Sequence, residues 1–226
     1  MLVFWAIGFL LLALWGYKDS FLYLNQLNTP FLNRLMPHLT HLGDGVLLSA
    51  VFAMLVYRKD PGLVLTMIIN MLLLMVVIGV AKRYIFMGWD RPPIVFRDLV
   101  SINYLSMQGE RYHSFPSGHS AAIAAMMAIF SYHFSRFSGY FWALAAIIIA
   151  YTRLYIGVHF WGDVLVGTCI GVALSLGALS LIYPKISHWV GRLSDKKRTF
   201  LSIFLLMNGL LGLVATIWRL YPNIFS

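Results

Sequence analysis

The sequence predicts an all-α fold, a polytopic helix bundle set in a membrane. Three observations predict it. Of the 226 residues, 60% are hydrophobic and 11% charged, against about 25% charged in an ordinary soluble domain. The apolar residues are bunched into runs close to the length of a membrane span. Charged and polar residues gather where those runs end. No linker or low-complexity stretch marks off a second unit, so residues 1–226 read as one membrane domain.

Seven runs qualify as spans: residues 2–17, 43–57, 62–82, 118–135, 138–153, 161–183 and 199–218. The first begins without a basic segment, which favours a retained span over a cleaved signal peptide. Residues 19–37 are too polar to cross. Asp19 or Ser20 caps one short helix there, and Thr29 with Pro30 opens another. Phe21, Leu22, Leu24, Leu27, Phe31, Leu32 and Leu35 read either as a face lying on the membrane surface or as an ordinary connecting loop. The second run is short, carries Asp44 near its start and can extend back toward Leu39. Only a short turn separates the fifth run from the sixth. In the sixth, Gly167 and Gly171 form a small-xxx-small pair suited to close helix contact.

Other residue types read as packing. Trp5, Trp15, Trp142, Trp161, Trp189 and Trp218 stand near run ends, where an interfacial aromatic belt is the default. Methionines fill the core. Cys169 is the single cysteine and lies inside an apolar run. That excludes an intramolecular disulfide and a thiolate metal site.

The net charge of +9 lies between apolar runs, so it speaks to membrane orientation and anionic headgroups rather than to nucleic acid. With the N-terminus cytoplasmic, the cytoplasmic connections hold eight Lys and Arg residues, Arg136 among them, and the opposite side nine, Arg111 among them. Lys82, Arg91 and Arg153 belong to the chemistry described next. Setting these three aside leaves eight against six, with the dense cluster at residues 185–198 inside. The bias faces the chemistry away from the cytoplasm.

Three polar clusters carry that chemistry. Lys82 and Arg83, then Asp90, Arg91, Pro92 and Pro93, follow the third span. Phe115, Pro116, Ser117, Gly118, His119 and Ser120 open the fourth. Thr152 and Arg153, then His159 and Asp163, join the fifth to the sixth. Because spans three to six alternate in direction, all three clusters fall on one side of the membrane.

Each cluster suits a phosphate. Pro116 fits a first helical turn. The amides of Ser117, Gly118 and His119 are then helix N-terminal donors, which bind anions, and Gly118 lets a phosphate approach the backbone. The Ser117 hydroxyl adds a donor. Lys82, Arg91 and Arg153 supply positive charge and forked hydrogen bonds. His159 and Asp163, four residues apart, share one helical face. A carboxylate on one imidazole nitrogen leaves the other free to attack. His119 is a second imidazole, suited to protonating a leaving alkoxide. Competing readings exist. A Lys or Arg at a span end is commonly a snorkelling anchor, and a Ser-Gly pair is often only a cap. His119, His159 and Asp163 also have the donor types of a zinc site, but three neighbouring cations would repel a dication. His113 reads as a surface residue.

Together these residues resemble the type 2 phosphatidic acid phosphatase (PAP2) family, whose site is similar to those of glucose-6-phosphatase and the vanadium haloperoxidases. The family pattern is Lys-x6-Arg-Pro, Pro-Ser-Gly-His and Ser-Arg-x5-His-x3-Asp. The second part is intact at residues 116–119. The third is intact from Arg153 through His159 to Asp163, with Thr152 in place of serine. In the first, Lys82 and Arg91 are separated by eight residues instead of six, and Arg83 competes for the lysine's place.

The resemblance implies a six-helix core with extracytoplasmic catalysis, to which residues 199–218 add a seventh, C-terminal span. It implies His159 as nucleophile through a phosphohistidine, Asp163 as its orienting partner and His119 as proton donor. Lys82, Arg91, Ser117, Gly118 and Arg153 would bind the substrate phosphate. No metal and no organic cofactor is implied. The implied partners are the bilayer and a lipid phosphate within it, with no nucleic acid and no obligatory protein partner. The implied location is a bacterial inner membrane, with the site facing the periplasm or outside. Candidate headgroups are undecaprenyl diphosphate, phosphatidylglycerol phosphate, phosphatidic acid and lipid A phosphates. Residues 87–115 would shape that choice, with Phe86, Trp89, Phe96 and Tyr104 as walls. Phosphotransfer to a second lipid is an alternative on the same fold. An anionic-substrate transporter is an alternative of another class, against which stands the gathering of charge at one end of the spans.

Overall fold

The computed structural model describes residues 1–97, 102–105, 112–134 and 138–220. Arg111 and Arg136, counted above for orientation, lie outside them, as does residue 135 at the end of the predicted fourth span. The described residues form helices and connecting turns, with no strand among them. In chain order the helices are α1 (Leu2–Asn25), α2 (Pro30–Leu39), α3 (Gly45–Val56), α4 (Pro61–Val80), α5 (Pro92–Val95), α6 (Gly118–Phe134), α7 (Ser138–Tyr155), α8 (Trp161–Gly177), α9 (Tyr183–Gly191) and α10 (Asp195–Leu220). A 3-10 turn at Thr40–Gly43 precedes α3, and π turns at Ala81–Ile85 and Ala178–Ile182 extend α4 and join α8 to α9.

Four stretches are long and apolar enough to cross a bilayer: Leu2–Asn25, Pro61–Ile85, Trp161–Gly191 and Asp195–Leu220. A fifth combines Pro30–Gly43 with Gly45–Val56, bent by 63°. The predicted runs at 118–135 and 138–153 also form helices, of 17 and 18 residues. α6 packs between α7 and α8. Much of its surface therefore meets protein, and it needs less apolar length than a lipid-facing helix.

Capping residues fix the boundaries. Thr29 caps α2, accepting the Leu32 amide at 3.2 Å, with Pro30 in the first turn as expected. Asp60 does the same for α4 through the Leu63 amide at 2.8 Å. Asp44 accepts the amides of Val46 and Leu47 at 2.9 and 3.1 Å. A capped start cannot also be a helix interior, so the second span does not run straight back to Leu39 but breaks at Asp44.

The first segment differs from expectation in a similar way. Neither Asp19 nor Ser20 caps a helix, because α1 runs on to Asn25. Its discontinuity lies at Gly16, whose φ of 79° and ψ of 175° belong to a region open essentially to glycine alone. Phe21 is not a surface residue; it is fully buried in the main core with Phe52, Leu63, Met67, Ile123 and Leu165. α2 is a true helix, and its inner side, Leu32, Met36 and Leu39, packs on Tyr155, Ile156 and Val158.

The central contact is α6 on α8. A Cβ at Gly167 would lie 2.5 Å from the Ser117 carbonyl oxygen, and one at Gly171 would lie 2.1 Å from that of Ala121. Backbone cannot yield that far, so the two glycines set the depth of the contact. Trp161 departs from the predicted belt: it is buried, and its indole N–H donates to the Gly8 carbonyl of α1 at 3.1 Å. Trp5 likewise bonds inward, to Thr168 Oγ1 at 2.9 Å. α10 lies against α3, where Gly209 and Gly212 face Ala50. Its far end is held by an Arg219–Asp44 ion pair.

Candidate active site

The π turn after α4, the start of α6, the end of α7 and the start of α8 meet at one end of the bundle. The α7–α8 connection is a tight turn. Gly157 has φ of 78°, and a Cβ there would stand 2.6 Å from the Asn103 carbonyl oxygen. Only glycine allows both the conformation and the approach. The turn delivers His159 one turn before Asp163, and the two side chains meet, Nδ1 to Oδ2, at 3.0 Å. Both are buried.

Asp163 is the hub. Its Oδ2 also accepts the Phe160 amide at 3.1 Å and the Ser114 hydroxyl, while Oδ1 accepts the Tyr17 hydroxyl. Its backbone carbonyl accepts the Ser117 amide at 3.1 Å, which ties the start of α8 to the start of α6. With Nδ1–H donating to a carboxylate, the His159 lone pair resides on Nε2.

The cations converge on this pair. Arg91 and Arg153 are each 5% exposed, which rules out the snorkelling reading for both, since a snorkelling head stays in water. Arg153 Nη1 donates to Thr40 Oγ1 at 2.8 Å, and Arg91 Nε to the Tyr112 carbonyl at 3.3 Å. Lys82 Nζ donates to the His113 carbonyl at 2.9 Å. Burial, then the charges of Arg91, Lys82 and Arg153, lower the His159 pKa well below its ordinary value and keep the imidazole neutral. A neutral imidazole is the form that can attack.

Lys82 and Arg83 differ in direction. Lys82 points into the site, and Arg83 is exposed. The π turn at Ala81–Ile85 widens the helix by one residue per turn. With residues 86–90 it absorbs the longer separation from Arg91.

The start of α6 needs two corrections. The helix begins at Gly118, so Pro116 lies before it and not in its first turn. The Ser117 amide is already bonded to Asp163, so it is not a phosphate donor. The Ser117 hydroxyl accepts the Ser120 amide at 3.3 Å and the Ser120 hydroxyl at 2.8 Å. It caps α6, and its own proton is what it can offer. Gly118 and His119 form the first turn. His119 faces the 3-10 turn, where its Cβ would be 3.7 Å from a Cβ on Gly43. His113 is exposed, as expected.

Of the expected wall residues, Phe86 and Trp89 cluster with Phe115, with ring centroids 4.5 to 5.4 Å apart. Phe96 is not a wall. It is buried in the core, stacked on Phe21 at 5.6 Å. Tyr104 is partly exposed. The rest of that connection includes residues 98–101 and 106–111, outside the described residues.

Sequence reasoning missed Tyr17, Ser114 and Thr40. Ser114 stands just before the Pro-Ser-Gly-His run, which was the one available signal. Tyr17 reads as an interfacial aromatic, and nothing in the spacing links it to residue 163.

Fold and site together define a class, an integral membrane hydrolase of phosphoric esters. The chain belongs to the PAP2 superfamily, whose family model matches residues 62–187. All eight predicted site residues fall within that match. The chain is 26% identical over 182 residues to the lipid A 4'-phosphatase of Porphyromonas gingivalis, covering 77% of this chain and 76% of that one. It is 26% identical over 152 residues to an undecaprenyl-diphosphatase of Sulfolobus acidocaldarius, covering 67% and 70%. Among solved structures it is similar to Aquifex aeolicus LpxE, with a TM-score of 0.65, 27% identity, and coverage of 73% of this chain and 94% of that one.

Proposed function

We propose that the protein is a metal-independent phosphatase of lipid phosphates or diphosphates, working through a phosphohistidine at the extracytoplasmic face of the membrane, with residues 1–226 acting as one domain. The observation that carries this reading is the buried His159–Asp163 pair, 3.0 Å apart, beneath Lys82, Arg91 and Arg153. His159 Nε2 attacks phosphorus, and the bond from phosphorus to the lipid oxygen breaks. The leaving oxygen takes a proton from His119, which then accepts one from the water that attacks the phosphohistidine. That second attack breaks the N–P bond and releases phosphate. Asp163 balances the charge that forms on the His159 ring. Lys82, Arg91, Arg153 and the first turn of α6 hold the phosphate oxygens, the positioning and charge neutralisation on which phosphoryl transfer depends.

A groove supports a lipid substrate. An apolar cavity of about 620 Å³ runs between α3, α4, α6 and α10, from Gly118 beside the site down to Met67 and Leu205. Along α4 it extends from Ile78 to Met67, about 16 Å at helical rise. That is about half of a ~30 Å hydrocarbon core, the depth of one leaflet. A phosphate at Gly118 can thus keep a hydrocarbon tail in the groove. The named relatives, a lipid A 4'-phosphatase and an undecaprenyl-diphosphatase, fit a substrate of this class.

The test is phosphate release from purified lipid phosphates and diphosphates, with EDTA present. Release should persist in EDTA and be inhibited by vanadate, which adopts the five-coordinate geometry of the transition state. Loss on chelation, restored by zinc or magnesium, would overturn the metal-free reading. Gly79 offers a second measurement. It lines the groove, and a Cβ there meets nothing within 4 Å. Gly79→Phe should raise KM for long-tailed lipid phosphates by roughly tenfold, the value of one to two buried methylenes, and leave a short water-soluble ester unaffected. Equal effects on both substrates would remove the groove from the reading.

A further inference from the structure

Tyr17 comes to the site from α1, outside the family-matched residues 62–187. Its hydroxyl donates to Asp163 Oδ1, the carboxylate oxygen that does not face His159. Three further features hold the ring there. The Gly16 break, with φ of 79°, comes immediately before it and redirects the chain. The ring stacks on Phe160 at 4.5 Å and meets Trp89 edge-on at 5.4 Å. Gly162 leaves room for it, since a Cβ there would fall 2.8 Å from Tyr17 Cε2. A kink, an aromatic shelf and a missing side chain thus converge on one hydroxyl.

We infer that Tyr17 is a positioning residue that fixes the Asp163 carboxylate so that Oδ2 stays on His159 Nδ1. The inference rests on the proposed roles of His159 and Asp163. A carboxylate turns about its Cβ–Cγ bond unless both oxygens are held. The donors on Oδ2, namely His159, Phe160 and Ser114, all pull on one side. Among the described residues, the hydrogen bond on Oδ1 comes from Tyr17. Orienting partners of this kind set the tautomer and direction of the imidazole they support. They touch neither the phosphate nor the lipid, so their removal acts on rate rather than on binding.

The test uses the full-length protein in proteoliposomes. Tyr17→Phe keeps the stacking and removes only the hydroxyl. It should lower kcat roughly ten- to a hundredfold and leave KM within about twofold. On an Asp163→Asn background the same change should add little, because coupled partners are not additive. Gly162→Ala, which displaces the ring while leaving the hydroxyl in the chain, should reproduce the kcat loss. The 15N shifts of the His159 ring report its tautomer without turnover, and they should move in Tyr17→Phe. A kcat within twofold of the parent protein, an undiminished loss on the Asp163→Asn background, or unmoved 15N shifts would each overturn the inference. A parent protein that releases phosphate while Tyr17→Phe is neutral sinks this inference alone. A His159→Ala protein that remains active sinks the proposed mechanism instead.

Discussion

His159→Ala should lower phosphate release at least about ten-thousandfold, near 5.4 kcal/mol of barrier. The nucleophile is the one group that neither solvent nor a neighbour can replace. His119 lies on the first turn of α6 and faces the 3-10 turn, whereas the ring that the Asp163 carboxylate orients is that of His159. The other groups near His159 are Ser114, whose hydroxyl is engaged with Asp163 on the Nδ1 side of the ring, and cations, which bind phosphate but do not attack it at neutral pH. His159→Gln is the companion variant. It preserves most of the buried volume and a hydrogen bond toward Asp163, so loss of activity in both cannot be assigned to a cavity. Rapid alkaline quenching of the parent protein with a 32P-labelled substrate should trap an alkali-stable, acid-labile phosphoprotein, absent in both variants. Well-folded His159→Ala that retains a tenth of parental turnover would end the phosphohistidine mechanism.

Asp163→Asn should lower kcat by at least roughly a hundredfold, near 2.7 kcal/mol, with KM little changed. The structure makes the experiment unusually clean. An asparagine can place its carbonyl oxygen where Oδ2 accepts from His159 and the Phe160 amide, and turn its NH2 toward the Tyr17 oxygen. Shape and hydrogen bonds survive, and the negative charge is what is lost. That charge matters only as the imidazole becomes positive during attack, so the effect belongs to the transition state. The comparable substitution in a serine-protease triad lowers turnover by about four orders of magnitude, but there the histidine is a base. Arg153→Ala should behave differently. It would contact phosphate in both ground and transition states, so KM should rise while kcat falls. If Asp163→Asn raised KM and left kcat intact, the carboxylate would be serving substrate binding.

The same geometry explains which parts of the site could be read from the linear chain. His159 and Asp163 are one helical turn apart, so their pairing is a local property of four residues. Ser117, Gly118 and His119 are local to a helix start in the same sense. Arg91 and Arg153 were identifiable by type and position, but a basic residue at a span end looks the same whether it snorkels or turns inward. Only their burial separates the two. Lys82 against Arg83 was undecidable from spacing, because a π turn changes the angle at which consecutive side chains leave a helix. Tyr17 lies 146 positions from Asp163 in the chain. No periodicity reaches that far.

The sequence by itself determined the solvent, the helical class and the side of the bundle on which the polar clusters meet. These follow from hydrophobicity, from alternation of direction and from the need of every backbone group in a bilayer for an internal partner. It also determined the pairing of His159 with Asp163 and the helix start at Gly118, since both depend on contacts within a turn or two. Tertiary structure decided the rest. It broke the second span at Asp44, moved the discontinuity of α1 to Gly16, buried Phe96 and Trp161, and consumed the Ser117 amide in a bond to the Asp163 carbonyl. It also opened a groove between four helices and brought Tyr17 to the far oxygen of Asp163. Each of these depends on the angle and depth at which two distant helices cross. Glycines such as Gly162, Gly167 and Gly171 set that depth through atoms they lack, and what such an absence accommodates is defined only once the neighbouring helix is in place.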